Sequence, residues 1–154
     1  MTLQDVMTVI QTLVLVVGIG IGLCTLLRQK KDNKAMATLN MILHQRSDVE
    51  LRKASEVIRN RGAVNVKLFF KIEEHRHCVL KVLNLREITA SAINQGILDE
   101  NTYKQIFYSL VLSDWEDLKD VIYTIRKEQK NETLFQDFES LVRRWQKQPL
   151  IKKI

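Results

Sequence analysis

Residues 6–27 read VMTVIQTLVLVVGIGIGLCTLL, a run of 22 uncharged and mostly apolar residues. As an α-helix this run would extend about 33 Å, slightly more than the roughly 30 Å hydrocarbon core of a bilayer. A helix is the expected form, because a segment that spans a membrane must satisfy its own backbone hydrogen bonds. The run therefore predicts a transmembrane helix.

A cleaved signal peptide is the first alternative for this run. Such a peptide begins with basic residues, has a shorter apolar core and ends in a small-residue cleavage site. Here the only charge before the run is Asp5, and residues 24–27 (CTLL) contain no A-x-A pattern. We therefore expect a retained anchor.

Basic residues follow the run at once. They are Arg28, Lys30, Lys31 and Lys34. Because flanks rich in Lys and Arg stay in the cytoplasm, we expect the N-terminus outside and everything after Leu27 in the cytoplasm. Near anionic lipid each of these bases would add on the order of 1 kcal/mol of attraction, so we expect them to contact the membrane surface.

One face of the run favours self-association within the membrane. Gly18 and Gly22 form a G-x-x-x-G pair, which lets two helix backbones approach closely. Gln11 and Thr25 lie seven residues before and after Gly18 and share its face, and a Gln amide in hydrocarbon needs a polar partner. A dimer through this face is one interpretation; the other is that the glycines contact lipid.

Three regions are predicted along the chain. The anchor with its basic flank occupies residues 1–31, a cytoplasmic helical domain residues 32–148, and a basic tail residues 149–154. The domain is long enough to bury a core of its own. The net charge from residue 32 to the end is +4, with both signs mixed. Only one cysteine lies in this part, which suits a reducing compartment.

Helical periodicity runs through almost the whole domain. Apolar residues recur three and four positions apart, which predicts an all-α bundle after a single transmembrane helix. The residues expected in the core include Ile58, Phe69, Leu83, Ile88, Ile106, Phe107, Leu118 and Trp145. The residues expected to start or end helices are Ser47, Gly62, Gly96, Asp99, Thr133 and Pro149. The pattern leaves open whether Ser113–Glu116 starts a helix or lies inside one.

A family resemblance rests on the motif Asn94-Gln95-Gly96-Ile97-Leu98-Asp99-Glu100, followed by Trp115 and a final helix with Trp145. With these features the chain resembles a bacterial family of unknown function, over most of residues 6–146. Members of that family pair an N-terminal spanning helix with a small all-helical cytoplasmic domain. The resemblance implies the same architecture in a bacterial inner membrane and implies no particular activity.

The densest polar cluster is residues 73–78, EEHRHC. His75 and His77 lie two residues apart and point to opposite sides of a helix, so they cannot bind one metal ion together. His75 with Cys78 supplies only two ligands, too few for a zinc site. We therefore expect an exposed helix face with Cys78 partly buried.

Other chemical signatures are weak. An acidic run consists of Asp114, Glu116, Asp117 and Asp120, and we expect it on the solvated side of a helix. The sequence lacks a phosphate-binding glycine loop, a G-x-S-x-G elbow and an Asp-rich calcium loop. The chain is therefore predicted to be no enzyme, with no catalytic residue, metal ligand or cofactor.

The leading hypothesis is a membrane-tethered, non-enzymatic module that binds a protein partner or itself. One alternative, drawn by analogy with small membrane proteins of this build, is a phage-defence or exclusion effector at the inner membrane. Another is a membrane-attached nucleic-acid binder. It is suggested by the excess of bases and by Arg59, Arg61, Lys67 and Lys71. Because nucleic-acid binders usually collect their bases on one face, it is the least favoured.

Overall fold

The computed structural model describes residues 3–59 and 66–151, which form six helices and no strand. The helices are α1 Leu3–Ser47, α2 Val49–Arg59, α3 Val66–Lys71, α4 Glu73–Asn94, α5 Glu100–Gln129 and α6 Gln136–Lys147. The all-α prediction is therefore confirmed. The chain divides into two compact units, Met1–Met36 and Ala37–Ile154, and the division falls within α1.

The first unit contains α1 as far as Met36. Every side chain in residues 10–33 is exposed. Within Ile10–Ser47 an 18-residue window has a mean hydropathy of 2.3, and none of that window is buried. By length and composition, α1 is therefore a helix that could cross a membrane.

In the second unit α4 is the central element. It packs against α2, α3, α5 and α6, and α5 also contacts α3 and α6. Apolar side chains from these helices form one continuous core. The completely buried members are Val79, Val82, Leu83, Ala90, Tyr103, Leu118, Val121, Ile122, Phe138, Val142 and Trp145.

Six of the eight residues named above for the core are buried, and two are not. Ile88 is 61% exposed and Ile106 is 43% exposed, so their placement in the core was wrong. On α4 the buried face includes Arg86 and Ala90, each two residues from Ile88. Residues two apart on a helix point about 200° apart, which turns the Ile88 side chain away from the core.

The connection between α4 and α5 follows its local sequence signals. Gly96 has a φ of +73°, in the left-handed region that glycine adopts without steric strain. Asp99 is the N-cap of α5, and its Oδ1 accepts a hydrogen bond from Thr102 N at 2.8 Å. Both predicted boundaries are confirmed. The predicted helix end at Gly62 lies outside the described residues.

The predicted cap at Ser47 was wrong by one residue. α1 continues through Ser47, whose hydroxyl donates to the carbonyl of His44. The side chain that caps α2 is Asp48, which accepts a hydrogen bond from Leu51 N at 2.8 Å. Asp and Ser are almost equally good N-caps, so the two neighbouring residues compete for one role.

The predicted cap at Thr133 was also wrong. α6 begins at Gln136, after Phe135 in the left-handed conformation with φ +57°. The N–H groups of Asp137 and Phe138 donate to the two carboxylate oxygens of Glu87 on α4, at 3.2 and 2.8 Å. A residue about fifty positions away in the sequence therefore caps α6.

The question left open at Ser113–Glu116 is answered by α5. This helix runs unbroken from Glu100 to Gln129, so the motif lies inside one long helix. Trp115 belongs to the core face of that helix and makes edge-on contact with Phe138 of α6, with ring centroids 5.5 Å apart.

Candidate functional site

The four residues predicted to pack in the membrane, Gln11, Gly18, Gly22 and Thr25, are all exposed on α1. Beyond its chain neighbours and the backbone of its own helix, a Cβ atom added to Gly18 or Gly22 would meet no atom within 4 Å, so no packing contact requires glycine there. The Thr25 hydroxyl donates to the carbonyl of Ile21 at 2.9 Å and is satisfied within its own helix. A role for this face in a dimer stays a prediction.

The basic flank also lies on α1. Arg28, Lys30 and Lys31 are exposed, and Lys34 is half-buried. The side chains of Arg28, Lys30 and Lys31 are therefore accessible to an anionic surface. Their predicted contact with lipid headgroups stays a prediction.

The end of α1 contributes to the core of the second unit. Thr38, Ile42 and Gln45 share one face of the helix and are buried. The hydroxyl of Thr38 accepts a hydrogen bond from the backbone N–H of Asp99 at 2.7 Å. Because Asp99 starts α5, this contact joins the last turns of α1 to the beginning of that helix.

A buried polar network continues this junction. The Gln45 amide nitrogen donates to the Thr89 hydroxyl at 3.2 Å, and its oxygen accepts from the Tyr103 hydroxyl at 3.0 Å. The Tyr103 hydroxyl in turn accepts from Arg86 Nη1 at 3.2 Å. Gln45, Thr89 and Tyr103 come from α1, α4 and α5, so the network fixes how three helices meet.

Arg86 and Asp114 form an ion pair inside the core. Arg86 is 4% exposed and Asp114 is 2% exposed. Both Nε and Nη2 of Arg86 lie 2.7 Å from Asp114 Oδ2. Burial opposes the charge on Arg86, but the Asp114 carboxylate and the Tyr103 hydroxyl keep the arginine pKa above its ordinary value. Burial raises the pKa of the Asp114 carboxyl, and Arg86 opposes that rise.

This pair corrects the prediction of a solvated acidic run. Glu116 and Asp120 are exposed and Asp117 is half-buried, but Asp114 lies in the core. Asp114 is three residues after Val111 and four before Leu118, on the buried stripe of α5. The missed signal was the pair of opposite charges on two apolar stripes, Arg86 on α4 and Asp114 on α5.

The cluster at residues 73–78 differs in part from its prediction. His75 is buried rather than exposed, with 4% of its surface accessible, whereas His77 is exposed. Cys78 is half-buried, as expected. Across residues 3–59 and 66–151 no three His, Cys, Asp or Glu side chains are grouped so that they could hold a metal ion.

A second polar junction attaches α6 to the start of α5. The Glu100 carboxylate accepts hydrogen bonds from the Trp145 indole N–H at 2.8 Å and from Arg144 Nε at 2.9 Å. Burial favours the neutral carboxyl, but these donors outweigh it and hold the pKa of Glu100 below its usual value. Trp145 itself is completely buried.

Among the grooves of the second unit, an apolar groove and a polar groove are the two most voluminous in the part of the chain that the structure describes. The apolar groove has a volume of about 490 Å³, and four of its nine lining residues are apolar: Leu51, Leu80, Leu85 and Ile88. The others are His44, Asp48, His77, Lys81 and Asn84. The polar groove, of about 720 Å³, follows α6 and is lined by residues that include Arg143, Arg144, Glu139 and Lys147. Both volumes fall in the range of ligand pockets, but both grooves are open to solvent, which suits surface contacts with another protein.

Comparison with protein families yields a match, whereas comparison with individual proteins does not. No curated protein and no solved structure matches this chain. A family model described as a domain of unknown function (DUF4760) matches residues 12–145, a span that includes most of the apolar run, the buried polar network and Trp145. The chain therefore belongs to the DUF4760 family.

Proposed function

We propose that this protein is a membrane-tethered, non-enzymatic protein-interaction module. Residues 6–27 anchor it in a bacterial inner membrane with the N-terminus outside, and the helical domain binds its partner in the cytoplasm. Tethering raises the local concentration of the domain at the membrane, so that a modest affinity becomes effective.

The observation that supports the anchor is the exposure of the apolar part of α1. Leu15, Val17 and Leu27 are 64%, 58% and 70% exposed, and their neighbours along the run are similar. Apolar surface that is contiguous over six helical turns is unfavourable in water, at about 25 cal/mol for each Å². A bilayer covers such a surface over its whole length.

The support for an interaction role comes from the domain surface. Ile88, at the edge of the apolar groove, is 61% exposed although it belongs to the central helix α4. Leu80 and Leu85 line the same groove and are half-buried. The groove thus combines leucine and isoleucine side chains with polar residues that include His44, His77 and the ion pair of Lys81 with Asp48. Apolar surface beside polar residues is the composition of a surface that accepts a partner's apolar side chains.

The first test concerns the anchor and its orientation. The full chain, with a reporter fused to its C-terminus, is expressed in a bacterial host and its membranes are washed with alkaline carbonate. We expect the protein to stay in the pellet and a reporter that is active only in the cytoplasm to give signal. A carbonate-soluble chain, or a reporter active only in the periplasm, would contradict the proposal.

The second test concerns the partner. The full chain is captured in mild detergent from its own host, and co-purified proteins are compared between wild type, Ile88→Glu and Ile97→Glu. Ile97 is 52% exposed in the α4–α5 connection and lies outside the groove, so it is the matched control. We expect Ile88→Glu alone to lose the specific partner. Equal capture by all three chains would remove the apolar groove from the proposal.

A further inference from the structure

The polar groove along α6 contains a buried arginine with an unsatisfied donor. Arg126 lines the groove and is only 6% exposed. Its Nε donates to the carbonyl of Leu134 at 2.8 Å, and its Nη1 donates to Glu139 Oε2 at 2.7 Å. Its Nη2 is buried and has no acceptor in the described part of the chain. Because a buried donor without an acceptor is unfavourable, an oxygen atom of a ligand would stabilise this guanidinium.

Two further bases line the groove from α6. Arg143 and Lys147 are both exposed, and they lie on the same face of the helix because they are four residues apart. Arg143 Nη2 contacts Glu139 Oε1, so Arg126 and Arg143 share one carboxylate. Burial favours the neutral carboxyl of Glu139, but the two arginines outweigh burial and lower its pKa. One negative charge is thus divided between two guanidinium groups.

The charges of the polar groove favour an acidic ligand. Among its lining residues the bases outnumber the acids by four to two. One of the bases, Arg144, is paired with Glu100, which lies outside the groove. The remaining bases still outnumber the acids. Since guanidinium groups bind carboxylates through parallel N–H donors, the groove suits a carboxylate better than a neutral or basic group.

The shape of the polar groove suits an extended chain. The groove follows α6, which has 12 residues and is therefore about 18 Å long. An extended peptide of six residues spans about 20 Å. A short acidic segment therefore has the length to bring successive carboxylates to Arg126, Arg143 and Lys147. Recognition of acidic segments by clustered arginines is a recurring mode of peptide binding.

We propose that the polar groove binds an acidic peptide segment of the partner, whose carboxylates are held by Arg126, Arg143 and Lys147. This inference rests on the proposed function, because it names the chemistry of the protein that the domain binds. It adds a second contact surface to the apolar groove, lined by different residues.

The first measurement uses the full chain in a non-ionic detergent with a fluorescent hexaglutamate peptide. Hexaglutamine is the uncharged control, and binding is followed by fluorescence anisotropy at fixed ionic strength. We expect saturable binding of hexaglutamate, no binding of hexaglutamine, and an affinity that falls as the salt concentration rises. Absence of saturable hexaglutamate binding would overturn the proposal.

Matched charge variants assign the binding to the groove. Arg143→Gln with Lys147→Gln removes two exposed bases of the groove, whereas Arg52→Gln with Lys53→Gln removes two exposed bases of α2. We expect the first pair to weaken hexaglutamate binding about tenfold, the effect of losing two exposed ion pairs, and the second pair to weaken it less than about twofold. Equal weakening by both pairs would mean that the peptide responds to the overall charge of the chain, and the site would be overturned.

Arg126→Lys tests the buried donor. Lysine keeps the positive charge but lacks the planar set of N–H donors, so we expect weaker hexaglutamate binding. Denaturant unfolding shows whether this variant is folded. Unchanged affinity in a folded Arg126→Lys chain would overturn the role of the buried donor. If the variant does not fold, the exposed pair of substitutions still decides the proposal.

The outcomes separate this inference from the proposed function. A chain that binds hexaglutamate through the groove but leaves the membrane fraction overturns the tether alone. A chain that keeps a partner dependent on Ile88 but does not bind hexaglutamate overturns the acidic segment alone. Binding of a phosphoserine peptide without binding of hexaglutamate also overturns it, because the ligand would then be a phosphate group.

Discussion

The two units treat apolar and charged side chains in opposite ways. In residues 10–33 apolar side chains are exposed along the whole helix, whereas in the second unit Arg86 and Asp114 are almost completely buried. Arg86 Nη2 and Asp114 Oδ2 lie 2.7 Å apart, so these two buried charges neutralise each other within one chain. The apolar surface of the first unit can be matched only by an environment outside the described chain. Substitutions in the second unit should therefore change the free energy of unfolding, whereas substitutions in the first unit should change the association of the chain with the membrane.

The largest effect is expected from breaking the buried ion pair. Asp114→Ala leaves the Arg86 guanidinium charged and unpaired in the core, which should lower the free energy of unfolding by about 3–5 kcal/mol. Denaturant unfolding of the full chain in mild detergent, followed by tryptophan fluorescence, measures it. Replacing both partners, Arg86→Met with Asp114→Leu, should recover most of the loss. A cost below about 1 kcal/mol for Asp114→Ala would show that the pair does not organise the core.

The next largest effect is expected from a charge placed in the exposed apolar helix of the first unit. Val17→Arg puts a charge at the middle of the apolar run, where insertion of an arginine costs about 2.5–3.5 kcal/mol. We expect a large drop in the fraction of chain that resists carbonate extraction, with little change in the unfolding of the domain. Gln105→Arg, at an exposed position of α5, is the matched control and should leave extraction unchanged. Equal membrane retention by both variants would argue against insertion of this helix.

A smaller effect is expected where the end of α1 joins the domain. Gln45→Leu keeps the size of the side chain but removes the acceptor for Tyr103 and the donor for Thr89, which should cost about 1–2 kcal/mol of stability. Gln105→Leu, on the exposed side of α5, should change stability by less than about 0.5 kcal/mol. Chemical unfolding of the two variants in the same detergent makes the comparison. Equal free energies of unfolding for the two variants would mean that the hydrogen bonds of Gln45 make no net contribution to stability.

The smallest effect is a dependence on pH. The pKa of Glu100 is held below its ordinary value of 4.5 in the folded chain, because Arg144 and Trp145 stabilise the carboxylate. The stability that this carboxylate contributes is therefore complete above that value and is lost as the pH falls through the folded pKa. We expect Glu100→Gln to be less stable than wild type near neutral pH, and the difference to shrink in acid. If the stability difference between Glu100→Gln and wild type stayed constant from neutral to acidic pH, the loss of stability would be due to packing and not to the charge of Glu100.

Local signals predicted the structure well where both partners are close in sequence. Gly96 and Asp99 were identified correctly because a left-handed turn and an N-cap involve only neighbouring residues. Thr133 was wrong because the true cap, Glu87, comes from another helix. Ser47 was wrong because Asp48, an equally good cap, stands beside it. Sequence patterns therefore locate helix ends well only when no other residue, neighbouring or distant, competes for the cap.

The candidate sites divide in the same way. The residues proposed for the anchor, Gly18 and Gly22 among them, are visible in the sequence because hydrophobicity and spacing along one helix define them. By contrast, Leu39 and Leu43 belong to an apolar stretch of α1 whose sequence does not say which residues face the core; Ile42 and Gln45 are buried there, and the two leucines are exposed. When apolar residues occur on more than one face of a helix, tertiary packing decides which face is buried.

The amino-acid sequence alone determined the helical class, the long apolar run and its basic flank, because these depend on periodicity and composition along a single helix. Only the tertiary structure decided that Arg86 and Asp114, 28 residues apart, neutralise each other inside the core. It also decided that Gln45 joins Tyr103 there, 58 residues away. A buried charge or amide is stable only when folding brings a partner to it. A partner that lies far away in the sequence cannot be identified from the local sequence pattern.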